Sequence, residues 1–175
     1  MGRWNIRWSI LLVLWCVTGV KLAAMKVESL DRGWFFNRGY ESQAADKVTV
    51  DLPHTWNAAD AMFGNVNYYR GMSTYSRFIV VPSSENFKRV FLRVKAAQTV
   101  ADVYLDNHFV AQHKGGYTSF TVELTHLIRR GEKQKLDIRV SNAQTMEIAP
   151  ICGDFNIWGG LNRGVELLYT DDACI

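Results

Sequence analysis

The side chains of this 175-residue sequence that can move protons, attack carbon or hold metals are few and scattered. His54, His108, His113 and His126 are all the histidines present, and no two stand at the His-x-x-x-His spacing that sets two ligands on one face of a helix. No Cys-x-x-Cys pair and no Ser/His/Asp order offers a redox or acyl-transfer site. Of three cysteines, Cys152 and Cys174 lie toward the C-terminus, enough for one disulfide and equally consistent with two free buried thiols. Glu123 and Glu166 sit in alternating segments, which places them on the wet face of a sheet rather than in a catalytic pair. The remaining polar chemistry is of the kind that binds. Asn57 to Gly71 carries three asparagines, Gly64 and the pair Tyr68-Tyr69 in a long irregular stretch. Loops of that length are uncommon in compact domains and often functional, although the same residues can serve to pack the loop.

The elements that must position these residues are strands. In Val100 to Leu124, Ala101, Val103 and Leu105 alternate with Asp102, Tyr104 and Asp106, the period of a half-buried strand. Asp106-Asn107-His108 supplies side chains that tolerate turn geometry, so Phe109 to His113 is predicted as the return strand of a hairpin. Gly115-Gly116 breaks it, at positions where a Cβ would obstruct the backbone, and Phe120, Val122 and Leu124 resume the inward alternation. Tyr117 and Phe120 are predicted to pack between sheets. The same period marks Trp34 to Arg38, Val48 to Leu52 before Pro53, Ser73 to Val81 before Pro82, Val90 to Val94, Leu136 to Val140 and Val165 to Tyr169. Thr125 to Gly131 reads as one helical turn or a tight loop. About nine strands without a long helix after Met25 predict an all-β fold, a two-sheet sandwich of jelly-roll type.

Composition narrows the functional classes. A chain that is 48% hydrophobic and 13% aromatic has ample material for one core. Twenty basic against 17 acidic residues leave a net charge of +3 with no basic run beyond Arg129-Arg130, which provides no electrostatic footprint for nucleic acid.

The N-terminus differs from everything after it. Arg3 and Arg7 precede the apolar run Trp8 to Val20, which is the length of a signal-peptide core and short of the ~20 residues a membrane span needs. With Ala23-Ala24 as small residues for cleavage, residues 1–24 are read as a signal peptide and 25–175 as the mature domain, exported to a periplasmic or extracellular space. Contact with a membrane is expected only through that signal. An uncleaved anchor, or a reading frame that begins at Met25, is the competing interpretation. Trp15 before Cys16 argues against lipidation.

Six motifs in order then carry a family resemblance: Trp34-Phe35-Phe36 with Gly39; Leu52-Pro53-His54-Thr55-Trp56; Tyr69-Arg70-Gly71 with Tyr75; Val103-Tyr104-Leu105-Asp106-Asn107; Gly115-Gly116-Tyr117-Thr118-Ser119-Phe120; and Asp154-Phe155 with Gly159-Gly160-Leu161-Asn162-Arg163. Together they resemble the N-terminal sugar-binding domain of glycoside hydrolase family 2, a family of β-galactosidases, β-glucuronidases and β-mannosidases, and are most similar to exported β-galactosidase-like members. The resemblance implies an immunoglobulin-like domain and a TIM barrel farther along the polypeptide. It also implies a β-galactoside or related β-glycoside as the carbohydrate bound. Retaining hydrolysis needs two carboxyl groups about 5–5.5 Å apart, and the family's two glutamates belong to the barrel. This chain is therefore expected to shape a substrate pocket without cleaving the bond, and to stop before the domain's final strand. No cofactor is expected within it, while the resemblance allows a Na or Mg ion in the full-length enzyme.

The resemblance also assigns roles. The aspartate matching Asp154 contacts the non-reducing-end sugar or its cation, and a carboxylate there can accept charge-assisted hydrogen bonds from neighbouring hydroxyls. The alternative is a turn cap or a partner for Arg163, itself expected to make a structural ion pair. Trp158 can offer an aromatic face to a sugar ring, or pack in the core. Asn65 and Asn67 are further candidates for sugar contact. Two other functional classes stand beside this one: a free-standing carbohydrate-binding module, which needs Trp56, Tyr68, Tyr69 and Trp158 exposed, and a structural sandwich that makes protein contacts.

Overall fold

The computed structural model describes residues 25–39, 48–60, 68–84, 87–148 and 157–171. Among these residues no helix forms, and twelve strands do: β1 (Lys26–Ser29), β2 (Trp34–Arg38), β3 (Val48–Val50), β4 (His54–Thr55), β5 (Met72–Val80), β6 (Arg89–Val94), β7 (Val100–Leu105), β8 (His108–Lys114), β9 (Phe120–Glu123), β10 (Lys133–Ser141), β11 (Gly160–Leu161) and β12 (Val165–Thr170). The nine strands read from alternation are all present. The three additions, β1, β4 and β11, have two to four residues, too few for a period of two to show.

The strands make two open sheets, one ordered β1-β12-β6-β9 and the other β3-β2-β5-β10-β7-β8, with β4 and β11 paired separately. Every pairing is antiparallel. One continuous core lies between the sheets, formed by Leu92, Val94, Val165, Leu167 and Tyr169 from the first and Trp34, Tyr75, Val103, Leu136, Ile138 and Val140 from the second. Such alternate residues share a face because successive side chains of a strand point to opposite sides. The β7–β8 hairpin closes through Asp106 (φ 48°) and Asn107 (φ 67°), two consecutive left-handed residues as in a type I′ turn. Asp106 then accepts the Lys135 amide at 2.8 Å and the Gln134 side chain at 2.8 Å, tying the hairpin to β10.

Three expectations are corrected. Tyr117 does not pack between the sheets: it is 75% exposed. Phe120 is only half-buried, at the rim of the core, with its ring stacked 4.4 Å from that of His113. Phe120→Ala is accordingly expected to cost about 1–2 kcal/mol in denaturant unfolding, half the burial of a full core aromatic, and not the larger loss of a sealed site.

Glu166 projects from the outer face of its sheet, as the alternation predicts, yet it is buried. Arg93, its cross-strand neighbour, and Lys95 fold over it, and their stems exclude water while both cations bond its carboxylate. Burial pushes the carboxyl pKa up, but the hydrogen bonds from Lys95 and Arg93 outweigh it and hold the group below the ordinary 4.5. A depressed folded-state pKa contributes stability that is full above pH 4.5 and is lost as pH falls through the lower folded value. Unfolding midpoints followed from pH 6 downward should therefore decline less steeply below pH ~4.5 in Glu166→Gln than in the parent.

Candidate functional site

At one end of the sandwich the connections after β3, between β6 and β7, and around β11 meet. Gly160 pairs with Thr55 and Leu161 with His54, while the Trp56 amide donates to the Gly159 carbonyl at 3.1 Å. Gln98, between β6 and β7, donates its own amide to the Gly160 carbonyl at 3.0 Å. Approach this close requires glycine. A Cβ on Gly160 (φ +144°) would stand 2.2 Å from the His54 carbonyl oxygen, one on Gly159 would stand 2.1 Å from the Trp56 ring, and one on Gly116 would stand 2.8 Å from Gln98 Cγ.

Over this junction lies a cleft of about 500 Å³ lined by Thr55, Ala58, Ala96, Gln98, Gly116, Tyr117, Trp158, Asn162 and Arg163. A directional ladder of hydrogen bonds crosses its floor. Thr55 Oγ1 donates to Asn162 Oδ1 (3.1 Å), Asn162 Nδ2 to Gln98 Oε1 (2.9 Å), and Gln98 Nε2 to the Tyr117 hydroxyl (3.0 Å). Each member fixes the next, so the amides cannot turn freely, and Tyr117 ends the ladder with its own proton left to donate. Among the described residues no carboxylate, histidine or cysteine lines the cleft. These described residues can bind, orient and exclude water, and they include no acid/base pair.

The segment that enters the cleft is anchored from beneath. The Ile157 carbonyl accepts from Asn57 Nδ2 (3.0 Å), Asn142 Nδ2 (3.0 Å) and the Tyr68 hydroxyl (2.6 Å). Asn57 Oδ1 takes the Gly159 amide at 2.9 Å, and Asn142 Oδ1 takes that of Gly71 at 2.8 Å. Both asparagines are fully buried. The amide oxygen and nitrogen of each bond backbone and so hold Trp158, between the two anchored residues, at the cleft. Trp158 is 38% exposed rather than sealed in the core.

The four histidines form no site. His54 Nδ1 shares a 2.8 Å hydrogen bond with the Tyr75 hydroxyl, and burial lowers the pKa of the imidazole while raising that of the phenol, so both stay neutral. Glu123 is exposed and paired with Arg89 at 2.7 Å. Among the described residues no group of three or more His, Cys, Asp or Glu could hold a metal ion. A second hollow, lined by Ser29, Asp31, Arg32, Asp51, Leu52 and Arg77, is structural. Asp51 holds the Gly33 amide (2.8 Å), Asp31 that of Val165 (2.9 Å), and Arg77 the Leu30 and Arg32 carbonyls.

Of the residues singled out from sequence, the structure brings Trp158 and Arg163 to one cleft. Asp154, Asn65, Asn67, Cys152 and Cys174 lie outside the described residues. Among those described, no carboxylate pairs with Arg163, which is exposed. Gln98 and the ladder were not foreseen, since a lone glutamine in an Ala-Ala-Gln-Thr run carries no periodic signal. Tyr117 was recognised only as a packing residue.

The family model described as "Glycosyl hydrolases family 2, sugar binding domain" matches residues 30–171, all of the sandwich except β1. The chain belongs to glycosyl hydrolase family 2. Among its relatives, a β-glucuronidase of Bacteroides fragilis is 40% identical over 146 residues, 83% of this chain and 21% of that protein. A β-galactosidase of Thermoanaerobacter pseudethanolicus is 31% identical over 129 residues, 72% of this chain and 17% of that protein. Among solved structures, β-glucuronidase 2 of Bacteroides uniformis, covalently bound to cyclophellitol-6-carboxylate aziridine, superposes with a TM-score of 0.76 at 31% identity, covering 85% of this chain and 18% of that one. This family 2 domain thus spans about a fifth of the length of the relatives it matches.

Proposed function

We propose that the chain is the N-terminal sugar-binding domain of an exported, retaining exo-β-glycosidase, and that it shapes the substrate pocket while carboxylates elsewhere in the polypeptide break the bond. The observation that carries this reading is the family match across residues 30–171, joined to a cleft whose described lining holds hydrogen-bonding and aromatic side chains. Retaining hydrolysis places two carboxyl groups about 5–5.5 Å apart, whereas Glu123 and Glu166 are committed to ion pairs and Asp31 and Asp51 to backbone amides. Asp154, with Asn65 and Asn67, is proposed to face the sugar: it lies three residues before Ile157, whose carbonyl the buried amides hold.

For the substrate we propose β-glucuronides. The B. fragilis relative, at 40% identity, bears the name β-glucuronidase, and this favours a uronic acid over the β-galactoside to which the motifs alone lean. β-Galactosides remain the second reading, supported by the 31% identical Thermoanaerobacter relative. The test is the hydrolysis of p-nitrophenyl β-D-glucuronide and p-nitrophenyl β-D-galactoside by the full-length enzyme. A kcat/KM at least tenfold higher on the glucuronide is expected, with Asp154→Ala lowering it about 10²-fold or more if its charge-assisted bonds strengthen in the transition state. Preference for the galactoside would overturn the substrate assignment. An Asp154→Ala enzyme with parental kinetics would overturn the role of Asp154.

A further inference from the structure

We propose that the outer face of the six-stranded sheet is a second carbohydrate-binding surface, separate from the cleft, which holds an oligosaccharide bearing uronate carboxylates along a row of side chains from Phe35 to Phe109. It would tether the protein to an acidic glycan and take no part in bond cleavage.

Strand register builds the row. Phe35 pairs with Ser76, Ser76 with Asp137, Asp137 with Tyr104 and Tyr104 with Phe109, so one line of side chains crosses β2, β5, β10, β7 and β8. It lies opposite the core, because Leu136 and Ile138, on either side of Asp137, are fully buried between the sheets. Strands about 4.8 Å apart give the row a length of about 19 Å, room for a short oligosaccharide rather than for one ring. Phe35 and Phe109 at its two ends are exposed, as is Phe78, two residues along β5 from Ser76. Three exposed phenylalanines on one sheet face are more apolar surface than folding requires there. Asp137, in the middle, is only 3% exposed although it points away from the core. Lys135 Nζ donates to its Oδ2 at 2.8 Å, while the buried Oδ1 accepts from nothing among the described residues. A buried carboxylate oxygen without a donor is costly, and a ligand hydroxyl laid along the row would supply one. Lys135 and Arg139, its neighbours along β10, are long and flexible, so they can swing aside to admit it.

The occupant follows from the order of these groups. A protein interface gathers apolar side chains at its centre and leaves charge to the rim, and this face does the reverse. Its ends are phenylalanines, whereas its middle is Ser76, Asp137 and Tyr104, beside a parallel line of Thr74, Arg139, Asp102 and Gln112. Those polar groups are oriented: Gln112 Nε2 donates to Asp102 at 2.8 Å, and the Arg139 guanidinium lies 4.2 Å from the Tyr104 ring centroid. A sugar chain presents both matching surfaces, apolar ring faces for phenylalanine and hydroxyls for carboxylate, amide and guanidinium. Charge then selects an acidic chain. β10 and β7 bring Lys133, Lys135 and Arg139 to this face against the carboxylates of Asp137 and Asp102, a positive excess. Lys133 Nζ stands 4.2 Å from the Phe78 ring centroid, so a sugar stacked beside that ring would meet a cation for its carboxylate.

The experiment is isothermal titration of the full-length protein with hexamers of α-galacturonate and of β-mannuronate, acidic chains that are not β-glucuronides, and with neutral maltohexaose. Saturable binding of at least one acidic hexamer is expected, weakening as salt is raised, with maltohexaose bound at least about fivefold more weakly. Phe109→Ala and Lys133→Glu should each weaken it about fivefold or more, and Asp137→Asn about tenfold, by losing a ring face, a cation and a charged acceptor. Phe109 and Lys133 are exposed, so their variants should keep the parental unfolding midpoint within about 2 °C and the parental kcat/KM on an aryl β-glycoside. Asp154→Ala, which tests the pocket and not this face, should leave the binding of the acidic hexamers intact. Absence of saturable binding by a folded protein overturns the proposal. So does binding that Asp154→Ala abolishes and the three face variants do not, which would place the chain in the pocket. Equal affinity for maltohexaose overturns the choice of an acidic glycan, and a dimer that Lys133→Glu dissociates would give the face to a second copy instead.

Discussion

Gly160→Ala is expected to destabilise the domain by about 3–5 kcal/mol, the sum of a backbone penalty and a collision. At φ +144° the residue occupies a region that glycine alone enters readily, and the added methyl would lie 2.2 Å from the His54 carbonyl oxygen. That oxygen is backbone in β4, so it cannot swing aside as a side-chain tip would. The β4–β11 pair must open, and with it the bond from the Gln98 amide to the Gly160 carbonyl. Urea unfolding of the two proteins gives the number. Gly33→Ala is the control: Gly33 has a positive φ of 73° but nothing within 4 Å of the added carbon, so only the backbone term applies and the expected loss is about 1–2 kcal/mol. If the two alanine variants are equally stable, the close packing of β4 on β11 is wrong.

Trp34→Ala is expected to cost about 3–5 kcal/mol, enough to remove a large part of a stability that for domains of this kind totals about 5–15 kcal/mol. The indole is fully buried, meets Tyr75 edge-on at 6.4 Å, and donates Nε1–H to the Leu30 carbonyl at 2.6 Å. The Arg77 guanidinium lies 5.6 Å from the ring centroid, in cation–π range, and shares the same carbonyl. Truncation leaves a cavity in the middle of the second sheet's core face and frees the segment before β2. Trp34→Phe retains most of the volume but not the donor, and should lose about half as much. Equal losses for the two substitutions would mean that the hydrogen bond, not the packing, dominates.

The sandwich was legible because its central strands are long and alternate apolar with polar residues. β7, β10 and β12 show their inward residues at every second position, and Asp106-Asn107 announces its turn by residue type. Legibility failed where chemistry depends on distant neighbours. Nothing local in Val165 to Thr170 says that Glu166 will be roofed by Arg93 and Lys95, because the cover comes from another strand. β4 and β11 exist because glycines let two loops touch, and two residues carry no period. Gln98 is buried by the Gly116 approach, a contact across 18 positions that composition does not encode. Tyr117 was misplaced for the opposite reason: an aromatic next to a strand suggests a core, but Gly115 at φ +134° turns the chain and leaves the ring outside. The motif that ends in Asn162-Arg163 pointed to the right end of the molecule, since Asn162 is the middle of the ladder.

The central claim is a division of labour: this domain holds and shapes, and another performs the cleavage. Its most direct test is turnover of p-nitrophenyl β-D-glucuronide and β-D-galactoside by the purified, folded 175-residue chain, measured beside the full-length enzyme at equal molar concentration. The predicted result is hydrolysis by the full-length enzyme and none above background by the chain alone. Turnover by the chain alone that survives repurification and follows its concentration would contradict the account, because it would require a catalytic carboxylate pair within the sandwich.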